Sequence, residues 1–313
     1  MIQTSQTACP SAPVELAGSM PELVTRLLAL TPEVRDPVRQ RALTERFLIP
    51  AVSGLEALMR ELRAGLDPAL RAAAERVGGK AYPKGRCREI TQAVRQRLAD
   101  LDPGELSFHA RDGWAALQAF RAAGGLVRAA WGDLRGQYFQ NALIVGALYV
   151  DVSNDTVVTT KPPVEILPFE QAGFSPIRDY AHFVGIAGRY WGHRFLRNHL
   201  FPDLAPYRPL IQVAPNGRVS LGPDNGHLLG VSLAAGLAPS AVALGGPAMP
   251  DEAFAALAAR VGAGRGAATD PEAGRAAALA NCAAWGAASG AAAEAPFNRA
   301  MMAVGEINRR LAG

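Results

Sequence analysis

The residues able to do chemistry fall in one order along the chain: Gly85-Arg86-Cys87-Arg88-Glu89, then Gln140-Asn141, then Asp151. Ile90, Val94 and Leu98 follow the cysteine at four-residue steps, which predicts an amphipathic helix over 87–98 with Cys87 at its N-terminus. Unpaired backbone N–H groups and the helix dipole stabilise a thiolate at such a place, and Arg86 and Arg88 add positive charge. The thiol pKa is therefore expected to lie below the ordinary range. Downstream, 137-QYFQNALIVGALYVDVSNDTV-157 reads as two strands about a Gly146-Ala147 turn. A residue ten or eleven positions before an acid, across so short a hairpin, sits on the neighbouring strand within hydrogen-bonding reach. The hairpin is thus expected to offer a polar side chain to the thiolate and to steady that side chain with an acid.

These residues resemble the transglutaminase-like and papain-like cysteine core, in its arylamine N-acetyltransferase variant. Gly85, Cys87 and Glu89 match that family's Gly-x-Cys-x-Glu turn, and 148-LYVDV-152 is similar to its Leu-Val-Asp-Val segment. The likeness covers about residues 81–157. It implies Cys87 as nucleophile and Asp151 as orienting acid. Where the family carries its histidine, this chain has Gln140 followed by Asn141, and neither amide is a general base near pH 7. Three routes stay open: an imidazole from His109, on the loop before the next helix; a pre-ionised thiolate with Asp151 or Asp155 as base; or a core that keeps a pocket and has lost the chemistry.

The expected activity is cysteine-dependent acyl transfer or amide-bond chemistry on a small or peptide-like substrate. Gln140 or Asn141 would be the polar partner or oxyanion donor. Arg86, Tyr138, Asn141, Asn154 and Asp155 are the expected substrate contacts, and this reading calls for no cofactor and no metal. A second reading is a non-catalytic binding protein on the same core, meeting a partner through the 139–155 surface, with the C-terminal helices as a docking element. A third takes Asp151 and Asp155 as metal ligands of a nucleotide-sugar transferase, although such acids usually stand two apart, and a glycine-rich phosphate loop is missing. His182, His193, His199 and His227 suggest no shared ion. The first two, eleven residues apart, would be ~16 Å apart along a continuous helix.

Composition frames these choices. The chain has 313 residues, 49% hydrophobic and 19% charged, with 32 Gly and 23 Pro, enough to bury a substantial core and too rich in turns for one helical bundle. Its formal charge of +4 is spread without a dense basic run, densest between Arg178 and Arg218, which reads first as a solvated basic face and fits an anionic small molecule or acidic partner better than nucleic acid. Cys9, Cys87 and Cys282 are odd in number and far apart, forming no disulfide framework, so a reducing cytoplasm is expected. The N-terminus lacks a signal pattern and 226–249 is broken by Gly and Pro, so neither a secreted nor a membrane-spanning chain is expected.

The elements that must position the site follow from periodicity. Apolar residues at helical spacing predict three or four helices over 21–77, and another helix over 114–123 stopping at Gly124-Gly125. Strands are expected over 126–131, 138–145, 148–152 and 164–167, a helix over 176–192, then an irregular Pro-rich stretch over 201–213 before a short strand. From residue 239 the Ala- and Gly-rich composition predicts a helical cover. The fold class is α+β: an N-terminal helical block, a small antiparallel sheet packed on the cysteine-bearing helix, and an Ala-rich helical C-terminus. The expected division is a loose N-terminus over 1–20, a core over 21–230 and a helical segment over 231–313.

Overall fold

The computed structural model describes residues 18–223, 226–262 and 266–312; Cys9 and most of the N-terminus expected to be loose lie outside the described residues. In chain order the first elements are α1 (Met20–Leu27), α2 (Pro37–Leu43), α3 (Val52–Val77), α4 (Cys87–Ala99) and α5 (Phe108–Ala122). Strands β1 (Val127–Leu134), β2 (Tyr138–Val145), β3 (Leu148–Asp151) and β4 (Glu165–Pro168), the short helix α6 (Phe169–Ala172) and strand β5 (Phe174–Ser175) follow. Then come α7 (Tyr180–Trp191), strands β6 (Arg194–Arg197), β7 (Leu210–Val213) and β8 (Val219–Gly222), and helices α8 (Gly226–Ala234), α9 (Ala238–Leu244), α10 (Asp251–Val261), α11 (Pro271–Gly286) and α12 (Ala291–Ala312). The architecture is α+β, as the sequence predicts.

Two compact units are present: Leu30–Pro176, and the flanking stretches up to residue 29 and from Ile177 onward. Nothing divides at residue 231, where a boundary was expected. One apolar core joins Phe201, Tyr207, Ile211 and Leu221 to Phe254, Phe297 and Leu311, so the Ala-rich helices complete a core begun before them.

In the unit Leu30–Pro176 the sheet is antiparallel in the order β4-β3-β2-β1-β5. Residues of β2 and β3 alternate between its two faces. Leu143, Val145, Leu148, Val150 and Val152 share one buried cluster with Leu55, Leu58, Met59 and Leu62 of α3, Ile90, Val94 and Leu98 of α4, and Leu117 and Phe120 of α5. At about 1.5–3 kcal/mol for each fully buried aliphatic or aromatic side chain, this helix-on-sheet layer dominates the unit's stability. The β2–β3 connection is the two-residue Gly146-Ala147 turn, with Val145 paired to Leu148. Gly146 has φ +61, and a Cβ there would meet the Thr44 hydroxyl at 2.2 Å and the Phe120 ring at 2.8 Å. Thr44 Oγ1 in turn accepts the Ala147 N–H at 2.9 Å, fixing the turn to the helical layer.

Helix α5 starts earlier than its apolar spacing suggests, because Ser107 caps it by accepting the Ala110 N–H. His109 therefore lies in the first helical turn and not on a loop. In the second unit α1 carries a Ser19–Glu22 capping box. β6, β7 and β8 form a further antiparallel sheet where only one short strand was expected. The apolar stretch 226–249 folds as two short helices, α8 and α9, bent by 109°, and no single helix among the described residues is long and apolar enough to cross a membrane.

Helices α3 and α5 meet glycine to glycine: a Cβ on Gly113 would stand 2.1 Å from the Gly54 carbonyl oxygen. Backbone cannot yield there, so Gly113→Ala is expected to lose about 2 kcal/mol or more in urea unfolding despite its better helix propensity. Gly65→Ala, on the same α3 with nothing within 4 Å of a new Cβ, should instead gain up to about 1 kcal/mol.

Candidate functional site

Cys87 is the first residue of α4, as expected, and no side chain caps that helix end. The residue is half-buried. Its sulfur meets the Asn141 amide, with Nδ2 3.4 Å from Sγ. One turn further along α4, the Thr91 hydroxyl donates to the Asn141 carbonyl at 3.0 Å, so α4 grips this residue of β2 at two points. Gln140 turns the other way. Its Nε2 donates to Asp151 Oδ2 at 2.6 Å and lies 3.3 Å from the Ser153 carbonyl oxygen; both neighbours are acceptors, which fixes the amide orientation.

Strand parity explains the division. β2 and β3 pair so that Leu143 lies opposite Val150, which puts Asn141 with Leu143, Val150 and Val152 on the helical face of the sheet. Gln140, Tyr149 and Asp151 belong to the opposite face. The expected Cys87-Gln140-Asp151 constellation is therefore not assembled. Cys87 takes Asn141 and Gln140 takes Asp151, while the β3 residues on the same face as Asn141 are the apolar Leu148 and Val150, with Val152 just past the strand.

Asp151 is fully buried and receives four donors: Gln140 Nε2, the Tyr149 hydroxyl at 2.9 Å, and the Ser153 N–H at 2.8 Å and hydroxyl at 3.0 Å. Burial pushes its carboxyl pKa up, and the bonds from Gln140, Ser153 and Tyr149 pull against that. Its oxygens are committed to the hairpin. The Cys87 thiol is also pushed up, first by burial and then by the charges of Asp151 and Glu89, with the Asn141 bond opposing. This is opposite in direction to the expected lowering: burial is the first cause, and Arg86 donates to Glu89 Oε1 at 3.1 Å and to the Gly78 carbonyl.

The remaining predicted residues disperse. Asn154 donates to the Pro162 carbonyl at 3.0 Å. Asp155 is ion-paired with Arg63, whose Nη1 and Nη2 lie 3.0 and 3.1 Å from its two oxygens. With Asp151 saturated and Asp155 paired, the carboxylates of the metal reading face protein donors. Tyr138 is buried, with Lys161 Nζ 3.5 Å from its hydroxyl. His109 is exposed and packs edge-on against Phe108, and no hydrogen bond joins it to Cys87. His199 accepts the Met249 N–H on one ring nitrogen and meets the Leu244 carbonyl with the other, His193 pairs with Gln212, and His227 meets the Ile177 carbonyl.

No family model, curated protein or solved structure matches the chain.

The residue that sequence reasoning missed is Arg63. It is 1% exposed and binds Asp67 Oδ1 at 2.6 Å, the Val152 carbonyl at 2.7 Å and Asp155. Burial alone would lower its pKa, but Asp155 and Asp67 outweigh it and hold the guanidinium charged. The Tyr82 hydroxyl joins the same Asp67 oxygen at 2.5 Å and is pushed up to about 12, by burial first and then by that bond, so it stays a donor. A legible signal existed: Arg63 continues the apolar stripe of α3 directly after Leu62 and stands four residues before Asp67.

Arg63→Met is expected to cost about 3–5 kcal/mol in chemical denaturation, because it strands Asp155 and the Val152 carbonyl without their partner. For Cys87 the sign follows from its raised pKa: the thiolate is scarcer than in an ordinary thiol, of pKa about 8.5, throughout neutral pH. Iodoacetamide should label native Cys87 slowly at pH 7–8 and accelerate only at higher pH than in the urea-unfolded protein; peptide mass spectrometry across a pH series reads both.

Proposed function

We propose that the unit Leu30–Pro176 is a non-catalytic binding module that keeps the layout of a cysteine-enzyme core, a cysteine at a helix start against a strand pair, without its proton relay. The observation that carries this reading is the partner of the sulfur: an amide, Asn141 Nδ2 at 3.4 Å. An amide neither takes a proton from a thiol nor returns it to a leaving group. The orienting acid of the expected set, Asp151, is saturated by its own hairpin. The binding face is then the turn before Cys87 together with the loop after β3, held to each other by the Gly85 N–H donating to the Thr156 carbonyl at 3.0 Å.

Cysteine-dependent acyl transfer or amide-bond chemistry is the second reading. It is favoured by the same 3.4 Å contact, since a donor beside a sulfur at an uncapped helix end also suits a thiolate or an oxyanion. Attack by Cys87 would form a thioester and expel the leaving group, and the thiol proton would have to pass to water or substrate.

An ester assay separates the two. With p-nitrophenyl acetate near neutral pH, the binding module gives no nitrophenol burst and no acetyl adduct on Cys87 by intact mass. A stoichiometric burst lost in Cys87→Ser would replace it with the transferase reading. Geometry also predicts which substitution restores a relay. Asn141→His puts an imidazole beside the sulfur and should raise iodoacetamide labelling of Cys87 at neutral pH by about tenfold or more. Gln140→His should leave labelling unchanged and lower stability by about 1–3 kcal/mol, because it breaks the buried bond to Asp151 on the far face.

A further inference from the structure

A cavity of about 440 Å³ lies in the unit formed by residues up to 29 and from Ile177 onward. That is within the usual size of small-molecule sites, about 300–1,000 Å³. Close-packed interiors leave few voids larger than a water molecule, so a space of this volume against core side chains calls for an explanation. Val24 of α1, Leu233 of α8 and Leu237, just before α9, give it aliphatic walls, and Tyr207 and Trp285 give it aromatic ones.

The backbone fixes part of this wall. Gly286, the last residue of α11, and Gly236, in the turn after α8, both line the cavity, and a Cβ on Gly286 would stand 2.0 Å from the Gly236 carbonyl oxygen. Only bare backbone fits there. Leu237, next in the chain, has φ +62, a left-handed conformation unfavourable for a residue with a Cβ, and its N–H donates to the Ser232 carbonyl at 2.7 Å. Such a conformation persists only where its surroundings hold it.

The aromatic pair is held as firmly. The Tyr207 and Trp285 rings stack with centroids 5.7 Å apart and planes 11° apart, and the buried Phe297 ring meets Tyr207 edge-on at 5.4 Å. Tyr207 is 2% exposed, yet its hydroxyl has no hydrogen-bond partner among the described residues. Burial pushes its pKa up, so it is a donor at neutral pH. Buried hydroxyls in folded proteins are nearly always partnered. One that is not, on a residue lining a cavity, asks for an acceptor from what enters.

The rest of the lining is neutral. No charged side chain faces the cavity, and Ser289 adds the only other hydroxyl. An ion brought there would lose its hydration without gaining a counter-charge, whereas a flat apolar ring gains contact with the aromatic pair and the aliphatic walls.

We propose that this cavity binds a small, uncharged, planar aromatic molecule carrying one hydrogen-bond acceptor, held against Tyr207 and Trp285 with the Tyr207 hydroxyl donating to the acceptor. The site belongs to a different unit from Cys87 and does not rest on the non-catalytic reading.

The test uses the full chain and prodan, an uncharged naphthyl ketone whose emission moves to the blue in apolar surroundings. Acetylnaphthalene, ethylnaphthalene and naphthoate compete against it as separate arms: ring with acceptor, ring without acceptor, and ring with charge. Blue-shifted emission should saturate at one prodan per chain, acetylnaphthalene should displace it, and naphthoate should compete about tenfold less well or worse. Tyr207→Phe removes the donor and keeps the ring. It should weaken both ketones by about three- to tenfold, the scale of one neutral hydrogen bond, and leave ethylnaphthalene unchanged. Ala293→Phe, from the first turn of α12, places a ring in the cavity and should abolish binding. Circular dichroism checks that each variant is folded; if Ala293→Phe is not, Tyr207→Phe alone decides.

Absence of saturable binding, naphthoate bound as tightly as the ketones, ketone binding unchanged in Tyr207→Phe, or binding retained by a folded Ala293→Phe would each overturn the proposal, the last as an adventitious additive only.

Discussion

One buried guanidinium organises the surroundings of Cys87. Arg63 projects from the apolar face of α3 and reaches the backbone of the loop after β3 through Val152 and its side chains through Asp155. Its other partner, Asp67, holds the Tyr82 hydroxyl, and the Arg63 and Arg71 guanidinium carbons lie 5.8 and 5.2 Å from the Tyr82 ring centre. The loop before α4 and the loop after β3 are therefore both fastened to the same helix. A charge pair this buried contributes little net stability over an apolar substitute, because desolvation cancels much of its attraction. It discriminates strongly between arrangements, since a misplaced loop leaves a buried charge without partners.

The second constraint is strand parity. Adjacent residues of β2 point to opposite faces, so Gln140 and Asn141 cannot both approach Cys87. The hairpin spends its polar groups accordingly: one amide steadies a sulfur on the helical face, and the other closes a buried network around Asp151 on the far face. That network is well satisfied on the carboxylate side, where Tyr149, kept protonated by burial and by the Asp151 charge, remains a donor. Its function is to hold the hairpin, which in turn holds Asn141 against α4.

Much of this was legible in the sequence. Four-residue steps gave the α4 face, alternation gave the β2–β3 hairpin, and Gly146-Ala147 gave its turn, because these are local patterns with one physical cause each. The Gln140–Asp151 bond was foreseen from spacing, but its partner was not. A ten- or eleven-residue separation is compatible with either face, and only the pairing of Leu143 with Val150 decides between Gln140 and Asn141. The thiol shift was misjudged because helix ends are visible in sequence and desolvation is not. The second sheet was missed because β6 and β7 are joined through a Pro-rich stretch with no alternating pattern.

The Arg63 cluster also bears on ancestry. Its members stand at 63, 67, 82 and 155: Arg63 and Asp67 share one helix, Tyr82 and Asp155 come from two other stretches of chain, and loss of one leaves a buried polar group without its partner. Such a set tends to be inherited or discarded together. A distant relation whose overall similarity has faded would still be recognised by an arginine after the apolar stripe of its long helix, an aspartate one turn on, a tyrosine before the cysteine turn, and a second aspartate just past the hairpin.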